Sequence, residues 1–595
     1  MNTSSISANG HGADWQYTMP VAELMEQQLA TARVGDYTVA LVFHNDQVHA
    51  IDNRCPHMGY PMDRGSVRNG LITCHWHHAR FDLQSGGAFD LWADDVPTFP
   101  VDVRDGGIWV DVASTLDRVA HSEERLQMGM ERSLSLVVGK AVILLEERNL
   151  IDRILATGLR FGCENRNEGW GQGLTILGCM ASMLDGLPRE QRALALSHGL
   201  AAVAGDSAGS ARRFLVQSLP DITEDLDLLK TWFREFIEVR DTEGAERCVV
   251  SAIRSGADGP FLMDMLASAI LDHRYIDTGH PMDFCNRAFH MLDMTGWAET
   301  ELVLSSLVRL VAGAMRMEES HAWRHPDDLI EILNEAFKEL PAACTEGSPA
   351  EPRETGAPTL VETVLSAHPN EPARAAAACL DALRAGLSGE GLAVHICYAA
   401  AMRIARFHTS NEIGDWDTAL HTFTFGMAVL QAFQRAPSPD MLRGILDTAM
   451  SVHLDRFLNI PAQRIPTPAG GPEPEEAFGA RLNDLLDQQY RVNQAGQMVA
   501  DHCTNDARQN EVRAALKEAL LREDRDFHTI QCVEAALTLH DQLRRNWSHC
   551  DWLDPVIPLV AAARYLAAHA PTMRAQGQTF GIALRLHRGE NLSVG

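Results

Sequence analysis

Two cysteines and two histidines near the start of this chain carry its clearest chemistry. Cys55-Pro56-His57 is a C-x-H triplet, and after sixteen intervening residues Cys74-His75-Trp76-His77 forms a C-x-x-H run. Each segment offers one thiolate and one imidazole from a single tight loop. Two thiolates and two imidazoles suit one tetrahedral zinc ion. They also suit a pair of irons ligated unequally, sulfur on one and nitrogen on the other. The C-x-H spacing is wrong for a zinc finger, whereas so short a loop lets one segment reach both irons of one cluster.

The flanking residues sharpen this choice. The run Cys74-His75-Trp76-His77-His78-Ala79-Arg80-Phe81-Asp82-Leu83 resembles the second cluster loop of Rieske domains in ring-hydroxylating oxygenases and their ferredoxins. Cys55-Pro56-His57-Met58-Gly59 resembles the first. The resemblance spans roughly residues 15–115. It implies a [2Fe–2S] cluster ligated by Cys55, His57, Cys74 and His77. Respiratory members of the family carry an extra cysteine in each loop, paired as a disulfide. Tyr60 and Trp76 stand in those places here, which resembles the lower-potential branch. His78 occupies a position that is glycine in many relatives. By analogy, the resemblance also implies an external reductase or ferredoxin as electron donor, and electron transfer between subunits of a homo-oligomer.

Elements that would hold such loops are legible around them. Tyr37 to His44 is rich in β-branched and apolar residues, and Val48–Ile51, Leu71–Thr73 and Ala79–Leu83 are further short strands. Pro100–Val103 and Ile108–Val112 flank Asp105-Gly106-Gly107, which is hairpin-turn chemistry. A small antiparallel β domain over 15–115 is expected. Beyond about residue 120 the period becomes helical, as in Leu304, Leu307, Val308, Val311 and Met315. Pro/Gly/Glu-rich stretches at 341–358 and 461–475 read as loops or linkers. The expected fold is therefore α+β and multidomain: a β Rieske domain at 15–115, then helical lobes at 120–340 and 357–595. Ala252-Ile253-Arg254-Ser255-Gly256 is echoed by Ala382-Leu383-Arg384-Ala385-Gly386, which points to related lobes.

The helical part is rich in histidine. His198, His273, His408, His421 and His540 share helical faces with apolar residues. Burying an imidazole costs free energy unless its nitrogens find partners. A backbone carbonyl, a carboxylate or a metal supplies one. His273, His280, His408, His421 and His528 are the candidates for contact with a second, non-haem iron or a substrate. Glu318-x-x-His321 has di-iron spacing but occurs once and reads as a solvated turn, and His290 reads as a polar-face residue. The D-x-x-H-x(3,4)-H iron motif of ring-hydroxylating oxygenases is absent, as are nucleotide-binding loops and hydrolase elbows. Electrons must then come from outside the chain.

Composition narrows the partners. The 595 residues amount to roughly four domain equivalents, and 46% are hydrophobic, which excludes a disordered chain. With 51 basic against 80 acidic side chains the formal charge is -29, so neither nucleic acid nor an anionic membrane is an expected partner. The first twenty residues lack a basic stretch followed by an apolar run, and no apolar stretch is long enough to span a bilayer. A cytoplasmic location, with the twelve cysteines reduced or metal-bound, is the expectation. The first functional expectation is an iron–sulfur oxidoreductase. Its cluster relays electrons to an oxidising, dioxygen-activating centre acting on a small organic substrate. The second is a non-catalytic electron carrier or redox sensor with a helical docking scaffold.

Overall fold

The computed structural model of the protein describes residues 15–112, 117–220, 225–346, 357–366, 372–470, 475–590 and 592. The chain divides into two compact units, Met1–Asn149 with Gln578–Gly595, and Leu150–Gly577.

The first unit is built on three antiparallel sheets. Trp15–Pro20 pairs with Gly107–Asp111, which pairs with Val101–Arg104. Leu29–Val34, Tyr37–His44, Gln47–Asp52 and Thr98–Phe99 form the second sheet in that order. Ser66–Arg68, Leu71–Thr73 and Arg80–Asp82 form the third. The middle of the strand Tyr37–His44, Val39 to Val42, is apolar because both its faces are buried there. Val39 and Leu41 point into one core with Ile108 and Val110. Ala40 and Val42 point into the other, with Ile72, Phe81, Cys55 and Cys74. Side chains alternate across a strand, so one strand serves two cores. Asp105 and Gly106 both take positive φ, 50° and 77°, and turn the expected hairpin. Two helices, Arg118–Glu131 and Ser135–Glu147, also belong to this unit. Asp117 caps the first through Val119 N–H and Ala120 N–H.

The second unit is helical. Its boundaries differ from the expected lobes at 120–340 and 357–595. Residues 120–149 group with the strands, and 150–577 is one unit. Packing explains this: His280–Thr295 lies against Ile413–Arg435, and Gly259–Leu271 against Pro439–Leu454, so helices from both sides of the 341–358 stretch share one core. That stretch is not all loop, since the helix Leu329–Glu346 runs through Pro341 and Ala357–Leu365 is helical; the residues between lie outside those described. The apolar stripe of Thr300–Gly313 buries Leu304, Leu307, Val308 and Val311, while Met315 lies past the helix end and is exposed.

The echo at residues 252–256 and 382–386 has a structural basis. Thr242–Arg254 and Ala373–Arg384 each end near a glycine in the left-handed region, Gly256 at φ 85° and Gly386 at φ 98°. Glycine there closes a helix without a Cβ penalty. Asp258 and Ser388 then cap the following helices, Gly259–Leu271 and Gly389–Ala405. Among the described residues, no helix is long and apolar enough to cross a membrane.

Gly86 tests the packing of the β unit. It sits at φ 77°, and a Cβ there would lie 2.0 Å from the Val96 carbonyl oxygen. Gly86→Ala should destabilise this unit by about 2 kcal/mol or more, seen as a lower thermal midpoint by circular dichroism; an unchanged midpoint would contradict the tight turn.

Candidate metal centres

The two cysteine–histidine loops have the same backbone plan. Cys55 N–H donates to the Tyr60 carbonyl and Gly59 N–H to the Cys55 carbonyl, at 2.8 and 2.7 Å. Cys74 N–H donates to the Ala79 carbonyl and His78 N–H to the Cys74 carbonyl, at 2.8 and 3.0 Å. The residue four places after each cysteine is left-handed, Gly59 at φ 77° and His78 at φ 64°. His78 therefore performs a turn that glycine performs in the first loop, at the steric cost of a side chain.

This plan aims N–H groups at the sulfurs. Cys55 Sγ faces His57 N–H and Met58 N–H, and Cys74 Sγ faces Trp76 N–H and His77 N–H. The two sulfurs touch and are buried. The Cys55 thiol and the backbone donors hold Cys74 down to about 6, while the Cys55 thiol is pushed up by its neighbour and by burial. The His57 and His77 rings lie 4.7 Å apart, centroid to centroid, on the same side. Burial, with the nearby His77 and Lys140, lowers His57 to about 4, so its ring is neutral as a metal ligand must be. His57 Nδ1 is buried without a hydrogen-bond partner among the described residues. Two sulfurs and two imidazoles thus converge, with N–H donors already placed for negative sulfur. The set fits an unequally ligated two-iron cluster. Lys140, from Ser135–Glu147, donates to the Pro56 carbonyl and holds the first loop from behind. Trp92 packs on the His57 ring and Trp76 on the His77 ring, and both tryptophans are exposed.

Comparison with known proteins agrees. Residues 14–100 match the family described as Rieske [2Fe-2S] domain. The 3-phenylpropionate/cinnamic acid dioxygenase ferredoxin subunit of Photorhabdus laumondii subsp. laumondii is 36% identical over 86 residues, 14% of this chain and 82% of that protein. The chain belongs to the Rieske [2Fe–2S] family. Membership rests on its first hundred residues. Human apoptosis-inducing factor 3 is 31% identical over 91 residues, 15% of each chain. The chain thus spans under a sixth of that relative's length. A solved ferredoxin of carbazole 1,9a-dioxygenase from Nocardioides aromaticivorans IC177 is 26% identical over 16% of this chain and 96% of its own, with a TM-score of 0.16.

The helical unit gathers a second set. Of the five histidines expected there, His280, His421 and His528 meet, with one ring nitrogen from each lying within 4.8 Å of the others. They come from His280–Thr295, Ile413–Arg435 and Phe527–Asn546. His421 Nε2 and His528 Nε2 are 2.9 Å apart, the separation that two ligand bonds of about 2.1 Å at a right angle produce. Asp283 holds His280 Nδ1 at 3.1 Å, and Asp417 lies 3.8 Å from His528 Nδ1. Asp417 is fixed in turn by Tyr565 Oη–H and by His569. Carboxylates on the outer nitrogens leave the inner ones to converge, as in metal sites with carboxylate–histidine pairs. Burial, with the neighbouring rings, lowers His421 to about 3. Burial also lowers His528. For His280 burial pulls downward, but the charge and hydrogen bond of Asp283 outweigh it and the value rises. The turn before His280 is strained: Tyr275, Asp277 and Thr278 have φ 38°, 42° and 53°.

The other two expected histidines go elsewhere. His273 is buried against Glu318, 2.7 Å from Nδ1, and near Glu238. Glu318 is therefore a partner of His273 rather than part of a solvated pair with His321. His408 follows the helix Gly389–Ala405 and meets Ser410. His290 is not on a free polar face, since its Nδ1 meets Arg287 at 3.0 Å. Sequence reasoning missed Asp417, Tyr565 and His569. Asp417 lies four residues before His421, on the same helical face, a spacing that carries side-chain pairs. Asp415, the third residue of Ile413–Arg435, instead forms a capping box with Glu412.

Two outcomes follow. Cys74→Ser should abolish the visible charge-transfer bands and the rhombic EPR signal of the reduced cluster, without changing the far-ultraviolet spectrum of the helical unit. Burial also lowers His198 and His540 to about 4, whereas an unfolded chain protonates them below about 6.5. The unfolded state thus binds more protons between those values, so this contribution is full above pH 6.5 and lost as pH falls towards 4. Urea unfolding between pH 7 and 4 should show it, and His198→Gln should flatten the decline.

Proposed function

We propose that the chain is an iron–sulfur oxidoreductase in which electrons from an external reductase or ferredoxin pass through the Rieske site to a second, mononuclear metal site on His280, His421 and His528. The reading is carried by one observation: three imidazoles from three separate helices meet inner nitrogen to inner nitrogen, with carboxylates behind two of them. Half-buried imidazoles packed ring against ring are otherwise costly. Three neutral nitrogens leave coordination positions free, and imidazole suits iron among the first-row metals.

Cys55, His57, Cys74 and His77 would hold a [2Fe–2S] cluster that would supply one-electron transfer, and His280, His421 and His528 would hold a non-haem iron that would supply dioxygen activation on a small organic substrate. The residues have separate tasks. Backbone N–H groups at His57, Met58, Trp76 and His77 stabilise charge on sulfur. Asp283 and Asp417 fix ring orientation. Trp76 and Trp92 offer an apolar face beside the His57 and His77 rings where a donor protein docks. The cytoplasm, where thiols stay reduced, is the compartment that fits twelve free cysteines.

The ferredoxin likeness favours a second reading, an electron carrier or redox sensor whose helical unit is a docking scaffold. Metal content separates the two. Purified full-length protein reconstituted with ferrous iron and inorganic sulfide under nitrogen should hold about three irons and two sulfides per chain. His421→Ala and His528→Ala should each hold about two irons, with the cluster's EPR signal intact. Two irons in the unaltered protein, or zinc taken up in place of iron, would leave the carrier reading standing. Given a reductant, the unaltered protein should consume dioxygen faster than His528→Ala.

A further inference from the structure

A cavity elsewhere in the helical unit gathers three guanidinium groups. Arg403 lies on Gly389–Ala405, Arg406 just past it, and Arg456 in the turn Asp455–Leu458. The cavity encloses about 1040 Å³, part of it open to solvent. Glu362 is the one acidic residue among its described lining, and it is exposed. In a chain of formal charge -29 this is a marked local reversal of sign. Tyr398, Leu365, Met402 and Trp552 supply the apolar part of the wall.

The arginines are set deep. Arg403 and Arg456 are each 5% exposed, while Arg406 is half-buried. Arg403 spends one nitrogen on the Val452 carbonyl, at 2.8 Å, and its Nε has no partner among the described residues. Arg406 Nε donates to the Gln463 carbonyl at a long 3.4 Å. Burial lowers Arg403 to about 10, so it keeps its charge at neutral pH. Asp455 lies nearby, but its carboxyl accepts from Thr422 Oγ1 at 2.8 Å and burial pushes it up to about 7. It therefore offsets only part of the positive charge.

We infer that this cavity binds a small organic carboxylate with a flat apolar body. Guanidinium forks match carboxylate geometry, and the Tyr398 and Trp552 rings suit a planar group. Among the described residues the lining holds no lysine and no glycine-rich loop to satisfy the extra oxygens of a phosphate. The site is separate from the three histidines and stands without any metal.

Benzoate is the probe, with calorimetry on the full-length protein at low salt. One site per chain is expected. Benzyl alcohol, of like shape and no charge, should bind at least about tenfold more weakly, a difference of about 1.4 kcal/mol. Arg406→Gln, at the least buried of the three, should weaken benzoate by a similar factor while keeping the fold by circular dichroism. Affinity should be unchanged in His528→Ala. Equal binding of benzoate and benzyl alcohol, or no effect of Arg406→Gln, would overturn the assignment. So would phenyl phosphate binding more tightly than benzoate, or loss of benzoate binding in His528→Ala, which would place the carboxylate at the histidines. If Arg406→Gln fails to fold, the benzyl alcohol comparison on the unaltered protein decides alone.

Discussion

An imidazole can bind a metal only through a nitrogen that carries no proton, and the other nitrogen decides which one that is. Both histidine sites depend on this constraint. In the β unit, burial keeps His57 neutral, and the loops bring its ring beside His77. In the helical unit, carboxylates do the orienting. Asp283 takes the outer nitrogen of His280, and Asp417 stands behind His528. The difference follows from the scaffolds. A tight loop fixes a side chain through its own backbone hydrogen bonds. A helix fixes only the Cα position, so the ring must be held by a second side chain.

Much of the β unit was legible in the sequence because its signals are local. Tyr37–His44 is a strand over the expected residues. The Asp105-Gly106-Gly107 turn demands positive φ, which Asp and Gly tolerate. The cluster loops announce themselves by the spacing of Cys55, His57, Cys74 and His77 together with the residues that flank them. The helical unit was legible only as helices. Nothing in the sequence says that helices on either side of residues 341–358 share a core, because that is a matter of which apolar faces meet. The same limit governed the histidines. His273 and His421 both sit on apolar faces, yet one meets Glu318 and the other meets His280 and His528. Periodicity reports that a side chain is buried; it does not report against what.

The three helices that carry the histidines remain polar below them. One turn further along each lie Asp283, Thr424 and Gln531, and these line a narrow cavity with Arg287 and Glu534. Arg287 and Glu534 form a buried ion pair at 2.6 Å, to which Ser182 and Thr538 also donate. Such a layer is poor stabilisation compared with close-packed apolar side chains, since each buried charge is desolvated. What it supplies is specificity. Sliding His280–Thr295 or Phe527–Asn546 by one residue would leave Arg287 or Glu534 unpaired in the core, a penalty of about 3–5 kcal/mol. Leucine in the same places would tolerate that slip at far smaller cost. The ion pair therefore fixes the register of His280–Thr295 against Phe527–Asn546, and that register is what brings one nitrogen of His280 and one of His528 to the common point they share with His421.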